Sequence, residues 1–348
     1  MLDLQGTDLQ QNELELLQHP YTGGVILFTR NYSDIAQLTE LTRRIHEIKQ
    51  PELLIAVDHE GGRVQRFKRE FTRLPPCGCY GSLYDKNPAE AQSATEMAGW
   101  LLASELLSVG IDFSFAPVLD LDSGKSSVIG DRAFHKDCDV VSQLGRAFVR
   151  GLNSAGMAAV AKHFPGHGSV VEDSHETLPV DKRRFEDVLM SDLVPFERLI
   201  NAGIAGIMPA HVVYPEVDTR AAGYSRIWLQ DILRGNLGFH GAIFSDDISM
   251  GGAAVIGGPV ERAQAALSAG CDMVLVCNDH QAAAEILDKL KVESRPDTRV
   301  RMMRMYGKPS VTMYSELMDN PRWKEAVGRV ASLDLTPELD LDDDEVPI

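Results

Sequence analysis

Ala158–His175, AAVAKHFPGHGSVVEDSH, is the stretch whose pattern decides the fold. Four apolar residues, Ala158 to Ala161, give way at once to a cation and an imidazole, Lys162 and His163. The turn-forming Pro165-Gly166-His167-Gly168 then opens a polar loop that closes on Asp173-Ser174-His175. An apolar strand, a charged tip and a long polar loop are how a β/α barrel carries functional groups, because its working face is built where strands end and loops begin.

Six further apolar runs share this character: 23–28 (GGVILF), 53–57 (LLIAV), 113–119 (FSFAPVL), 206–208, 241–244 and 273–276. Runs that are apolar along their whole length suit parallel strands covered on both faces. Amphipathic stretches lie between them. The segment 34–49 places Ile35, Leu38, Leu41, Ile45 and Ile48 at helical spacing, and 88–109 and 261–269 are two more helices. This alternation defines an α/β protein with right-handed crossovers. Seven strands, with a short and irregular eighth at Leu2-Asp3-Leu4, make a single-domain (β/α)8 TIM barrel. A doubly wound dinucleotide-binding sheet has no support, since no GxGxxG follows an early strand. Helical segments run on to about residue 331, so a catalytic domain over 1–331 and an acidic, disordered tail over 332–348 are expected.

The formal net charge is −17, and seven of the acids fall in that tail, which leaves the body at −10. Such a chain is no nucleic-acid binder and has no affinity for an anionic membrane surface. No stretch approaches the roughly 20 apolar residues of a membrane span. The N-terminus lacks the basic and apolar regions of a secretory leader, and the cysteines are odd in number, at 77, 79, 138, 271 and 277. Together these features predict a cytoplasmic protein with free thiols. Cys77-Gly-Cys79 has the wrong spacing for a zinc knuckle and reads as a pair of loop cysteines.

The residues after the apolar runs carry the chemistry: Asp58, Asp120, Lys162 with His163, His211, and Asp246 with Asp247. A barrel gathers such tips around one pocket, which suits a polar, hydroxyl-rich ligand and acid/base work. Each tip also has a plainer reading. Asp58 and Asp120 would serve equally as helix N-caps, Lys162 as a neutralising partner for a strand carboxylate, and His163 and His211 as satisfied rim histidines. His167 would simply shape its turn. A metal site built from His163, His167, His175 or His211 with Asp246 is a further option. Against it stand the missing His-x-His after an early strand and the cation Lys162 beside the ligands.

Five motifs in order, VDHEGGRVQRF (57–67), SFAPVLD (114–120), KHFPGHG (162–168), DSH (173–175) and FSDD (244–247), resemble the NagZ-type bacterial β-N-acetylhexosaminidases of glycoside hydrolase family 3. The resemblance spans roughly residues 1–330 and implies a TIM barrel. It implies a retaining exo-β-N-acetylglucosaminidase that cuts N-acetylglucosamine from β-1,4-linked anhydro-N-acetylmuramic acid, with or without a stem peptide, in peptidoglycan recycling. Asp246 then matches the nucleophile, with Asp247 its competitor by proximity. His175 matches a loop-borne acid/base, oriented by Asp173. A histidine suits that duty, because its ordinary pKa near 6.5 allows proton transfer at neutral pH. Asp58, Arg66, Arg132, Lys162 and His163 match residues that hold the sugar, and His211 matches a further pocket residue. No cofactor and no metal are implied. The implied partner is a small-molecule substrate, a muropeptide or other N-acetylglucosaminide, acted on by a monomer. His59 departs from the family, which commonly has Gln there, and the acidic tail lies outside the family pattern.

Other activities compete with hydrolysis. A neutral histidine acid/base tolerates phosphate as the attacking group, so a β-N-acetylglucosaminide phosphorylase on the same scaffold is the nearest rival. More remote are a metal-dependent hydrolase and a silent sugar sensor. The sensor reading leaves Asp246, Asp173 and His175 without a purpose.

Overall fold

The computed structural model describes residues 1–171, 178–291, 295–311 and 313–333. Asp173, His175 and the acidic tail from 334 onward lie outside the described residues.

Among the described residues, seven parallel strands form two arcs. Gly24–Leu27, Leu54–Val57 and Phe113–Ser114 are neighbours in one. Val160–Phe164, Gly206–Pro209, Ala242–Asp247 and Met273–Leu275 are neighbours in the other. Two seams close them into a barrel. At the first, Val160 N donates to Ala116 O (3.0 Å), Lys162 N to Pro117 O (3.1 Å) and Leu119 N to Lys162 O (2.7 Å). At the second, Leu2 bridges Val25 on one side and Val276 on the other, both in parallel sense. The short eighth strand expected near Leu2 is therefore the segment that closes the barrel.

The strands are apolar throughout because both of their faces are covered. Val25, Leu27, Ile55, Ala56, Val57, Val160, Ala161, Ile207, Ile243 and Phe244 are all buried. Inside the barrel Phe113, Phe115 and Phe244 form a three-ring cluster with centroids 5.2–5.5 Å apart. Edge and tilted contacts of this kind bind aromatic rings beyond their buried area.

The helices form where local signals place them. Asp34 accepts a hydrogen bond from Gln37 N (2.9 Å) and caps Ile35–His46, so the helix begins one residue after the expected start and ends before Lys49. Asn87 caps Pro88–Ser108 and Asp137 caps Cys138–Ala155. These last two helices pack closely, because a side chain at Gly151 would bring its Cβ within 2.1 Å of Glu96 O. Cys77 and Cys79 lie in the helix Cys77–Tyr84 and not in a loop, and none of the five cysteines is in a disulfide. Among the described residues no helix is long and apolar enough to cross a membrane. The helix Pro321–Ala331 is tied back onto Pro88–Ser108 by Trp323 Nε1, which donates to Glu105 Oε1 (2.9 Å).

Candidate active site

The pocket lies at the strand tips. Val57 ends its strand and Asp58 follows, then a small hairpin pairs His59–Gly61 with Val64–Gln65. The hairpin turns at Gly61 (φ 101°) and Gly62 (φ 55°), left-handed conformations that glycine adopts without strain. The turn carries Glu60 and Arg66 to either side of Asp58. On the neighbouring arc, Lys162 and His163 belong to the strand Val160–Phe164 itself, so they are barrel wall and not a tip beyond it.

One ionic network joins these elements. Lys162 Nζ lies 2.6 Å from Asp58 Oδ1 and 2.6 Å from Glu60 Oε1. Arg132 grips the same Glu60 with both arms, Nε to Oε2 and Nη2 to Oε1, each 2.8 Å. Arg66 approaches Asp58 at 3.9 Å and stacks over the Phe28 ring. Burial alone would raise the Glu60 carboxyl, but Arg132 and Lys162 outweigh it and hold it well below the usual carboxylate range. Burial likewise opposes the Lys162 charge, yet Asp58 and Glu60 raise its pKa above that of a free lysine. Three cations against two carboxylates give a charged, pre-arranged cluster.

A second cluster adjoins it. The barrel seam aligns Leu119 with Lys162 and so sets Asp120 beside His163. Asp120 Oδ2 lies 2.6 Å from His163 Nδ1, and Asp120 Oδ1 accepts from His167 N at 2.7 Å. The His167 ring stands 5.9 Å from that of His163, and its pKa is lowered by burial and then by the His163 charge. Neither Asp58 nor Asp120 is a helix cap; Asp58 lines the cavity, and Asp120 holds His163, which lines it. Lys162 does neutralise strand-tip carboxylates, as its plainer reading expected.

The strand Ala242–Asp247 delivers the two adjacent acids. Asp246 Oδ1 accepts from Asp247 N (2.9 Å). The Asp247 carboxylate is engaged otherwise: it accepts from Ser249 N (3.0 Å), Ser249 Oγ (2.6 Å) and Cys277 N (3.0 Å). Burial pushes its pKa up to about 6, partly offset by the Ser249 and Cys277 hydrogen bonds. His211 is buried, stacks on Tyr224 at 5.4 Å and has Nε2 2.9 Å from Asp247 O.

The cavity is lined by Asp58, Glu60, Arg132, Lys162, His163, His167, Asp246 and Asp247, with Phe28, Met208 and Met250 supplying apolar surface. Arg66 and His211 are not on its wall and stand behind it. Glu60 was not anticipated as a site residue, and Asp120, His167 and Asp247 were placed at the mouth without the partners they have here. The run of charged and imidazole tips signalled their neighbourhood, but their partners come from other strands. His59 is buried against Phe67 and Phe71, away from the cavity wall. Among the described residues no group of three or more His, Cys, Asp or Glu is arranged to hold a metal ion.

A closed barrel with a narrow pocket of paired charges and a carboxylate at a strand end defines a barrel enzyme acting on a polar ligand. Comparison with known proteins gives the family. Residues 1–304 match the glycosyl hydrolase family 3 N terminal domain. A β-hexosaminidase of Thioalkalivibrio sulfidiphilus is 55% identical over 98% of both chains, and one of Nitrosospira multiformis is 53% identical over 96% of this chain and 95% of its own. Native NagZ from Neisseria gonorrhoeae superimposes with a TM-score of 0.92 at 44% identity, covering 97% of each chain. A family 3 β-N-acetylglucosaminidase from Paenibacillus covers 96% of this chain and 66% of its own, with a TM-score of 0.86 at 30% identity. The chain belongs to glycoside hydrolase family 3, and it is a glycoside hydrolase.

Proposed function

We propose that the chain is a retaining exo-β-N-acetylglucosaminidase that releases N-acetylglucosamine from GlcNAc-β-1,4-anhydro-N-acetylmuramic acid, with or without stem peptide, during peptidoglycan recycling in the cytoplasm. The observation that carries the reading is the contrast between the two acids at one strand end. The Asp247 carboxylate accepts from three protein donors, whereas Asp246 Oδ1 accepts from the Asp247 backbone N–H, and both acids line the cavity beside the wall proposed to hold the sugar. The name β-hexosaminidase borne by close relatives supports the same reading.

In this mechanism the Asp246 carboxylate attacks the anomeric carbon while the bond to the departing oxygen breaks, and His175 gives that oxygen its proton. The sugar is then held as an ester of Asp246. His175, now neutral, takes a proton from water, which attacks the same carbon and frees Asp246. Asp173 orients His175 in the manner of a triad aspartate. Asp58, Lys162, His163 and Arg132 hold the sugar, with Arg66 bracing Asp58 and His211 bracing the turn at Asp247. With Asp247 occupied, a proton donor from outside the strand is the arrangement that fits. No metal or cofactor enters. The catalytic unit is residues 1–331 acting as a monomer, and 332–348 is an appended tail.

The test is turnover of a chromogenic N-acetylglucosaminide with and without phosphate, followed by identification of the product and of the residue labelled by a slow-turnover fluorinated sugar. Free N-acetylglucosamine and a label on Asp246 are expected. A sugar phosphate as main product would replace hydrolysis by phosphorolysis.

A further inference from the structure

Asp120 is buried, and its carboxylate serves two partners at once. Oδ2 meets His163 Nδ1 at 2.6 Å, and Oδ1 meets His167 N at 2.7 Å and His163 N at 3.4 Å. Burial would raise the Asp120 carboxyl, but its partners His163 and His167 bring it below its ordinary value, so it is ionised at neutral pH. An ionised carboxylate only accepts. The proton in the short contact therefore sits on His163 Nδ1, which leaves Nε2 as the nitrogen available to the cavity that His163 lines.

We propose that Asp120 is a positioning residue for sugar recognition: it fixes the Nδ1–H tautomer of His163, which makes Nε2 a hydrogen-bond acceptor for a sugar hydroxyl. The same carboxylate, through His167 N, anchors the chain where it leaves the strand Val160–Phe164. The proposal rests on the reading that His163 touches the sugar.

Asp120→Asn separates this role from mere packing. The amide has nearly the shape of the carboxylate but only one acceptor oxygen. The backbone donor His167 N cannot change its role and claims that oxygen. The amide NH2 then faces His163 Nδ1, which becomes an acceptor, and the ring proton moves to Nε2. The cavity thus receives a donor in place of an acceptor, an inversion known to be costly where an imidazole must present a lone pair.

Nitrogen-15 NMR of histidine-labelled protein at pH 8 reads the tautomer directly. Expected are a protonated Nδ1 on His163 in the wild type, a protonated Nε2 in Asp120→Asn, and a KM for a chromogenic N-acetylglucosaminide raised roughly tenfold or more. The dependence of rate on leaving group stays unchanged, because Asp120 does not hand over the catalytic proton. A bare Nδ1 in the wild type overturns the proposal, and that spectrum decides even if the variant fails to fold. An inverted tautomer with an unchanged KM overturns it too. His163→Ala checks the underlying reading separately: a wild-type KM there removes His163 from sugar binding, whatever its tautomer.

Discussion

Glu60 and Arg132 meet through two parallel hydrogen bonds of 2.8 Å, although 72 residues separate them in the chain. Both side chains are almost fully withdrawn from water. Lys162 shares the same carboxylate, so Glu60 is the common counter-ion of two buried cations.

Removing it strands Arg132 and leaves Lys162 with Asp58 alone. Glu60→Ala is expected to lower the unfolding free energy by about 3–5 kcal/mol, the usual cost of breaking one side of a buried pair. Urea denaturation at pH 7.5 measures it, and a loss below about 1 kcal/mol would show that water already screens the network. The acid dependence has a definite sign. The folded carboxyl is held below its ordinary 4.5, so its contribution is full above that pH and fades as the pH falls further.

Asp246→Asn keeps the volume of the side chain and removes the proposed nucleophile. Turnover is expected to fall by about four orders of magnitude or more, on the scale of other covalent nucleophiles, with the melting temperature little changed. Near-normal activity would transfer the role to Asp247.

His175→Ala tests the proton carrier through leaving groups. Substrates with poor leaving groups need protonation as the bond breaks, so they are expected to lose about 100-fold or more, and activated aryl glycosides much less. Equal losses across the series would deny His175 the acid role.

His59 gives a pH signature independent of catalysis. Burial lowers its pKa from 6.5 to about 3, with the Arg66 charge adding to the effect. Between those values the unfolded chain binds a proton that the folded chain refuses, so stability falls as the pH drops below 6.5. At pH 4.5 the cost is about 2–3 kcal/mol relative to pH 7.5. His59→Gln, which restores the residue common in the family, is expected to escape that loss. Equal acid sensitivity in the two proteins, read from urea midpoints, would count against a buried neutral ring.

Much of this protein is legible residue by residue. A strand covered on both faces must be apolar along its length, so LLIAV and GGVILF announce themselves, and the helical spacing of Ile35, Leu38, Leu41 and Ile45 announces the helix that Asp34 caps. The charged tips at Asp58, Lys162, His163 and Asp246 are legible for a related reason: nothing in a core tolerates them, so they belong at the mouth.

Partnership was not legible. Local sequence does not tell that Asp120 faces His163 and not a helix N-terminus, that Glu60 joins Arg132 to Lys162, or that Asp247 turns its carboxylate to Ser249 and Cys277. These pairings depend on which strand lies beside which, and on the register that aligns Leu119 with Lys162. The chain by itself determined the barrel and the residues at its mouth, because burial and helical periodicity leave their pattern over a few residues. Only closure of the barrel decided which charges meet, because that is set by contacts between segments far apart in the chain.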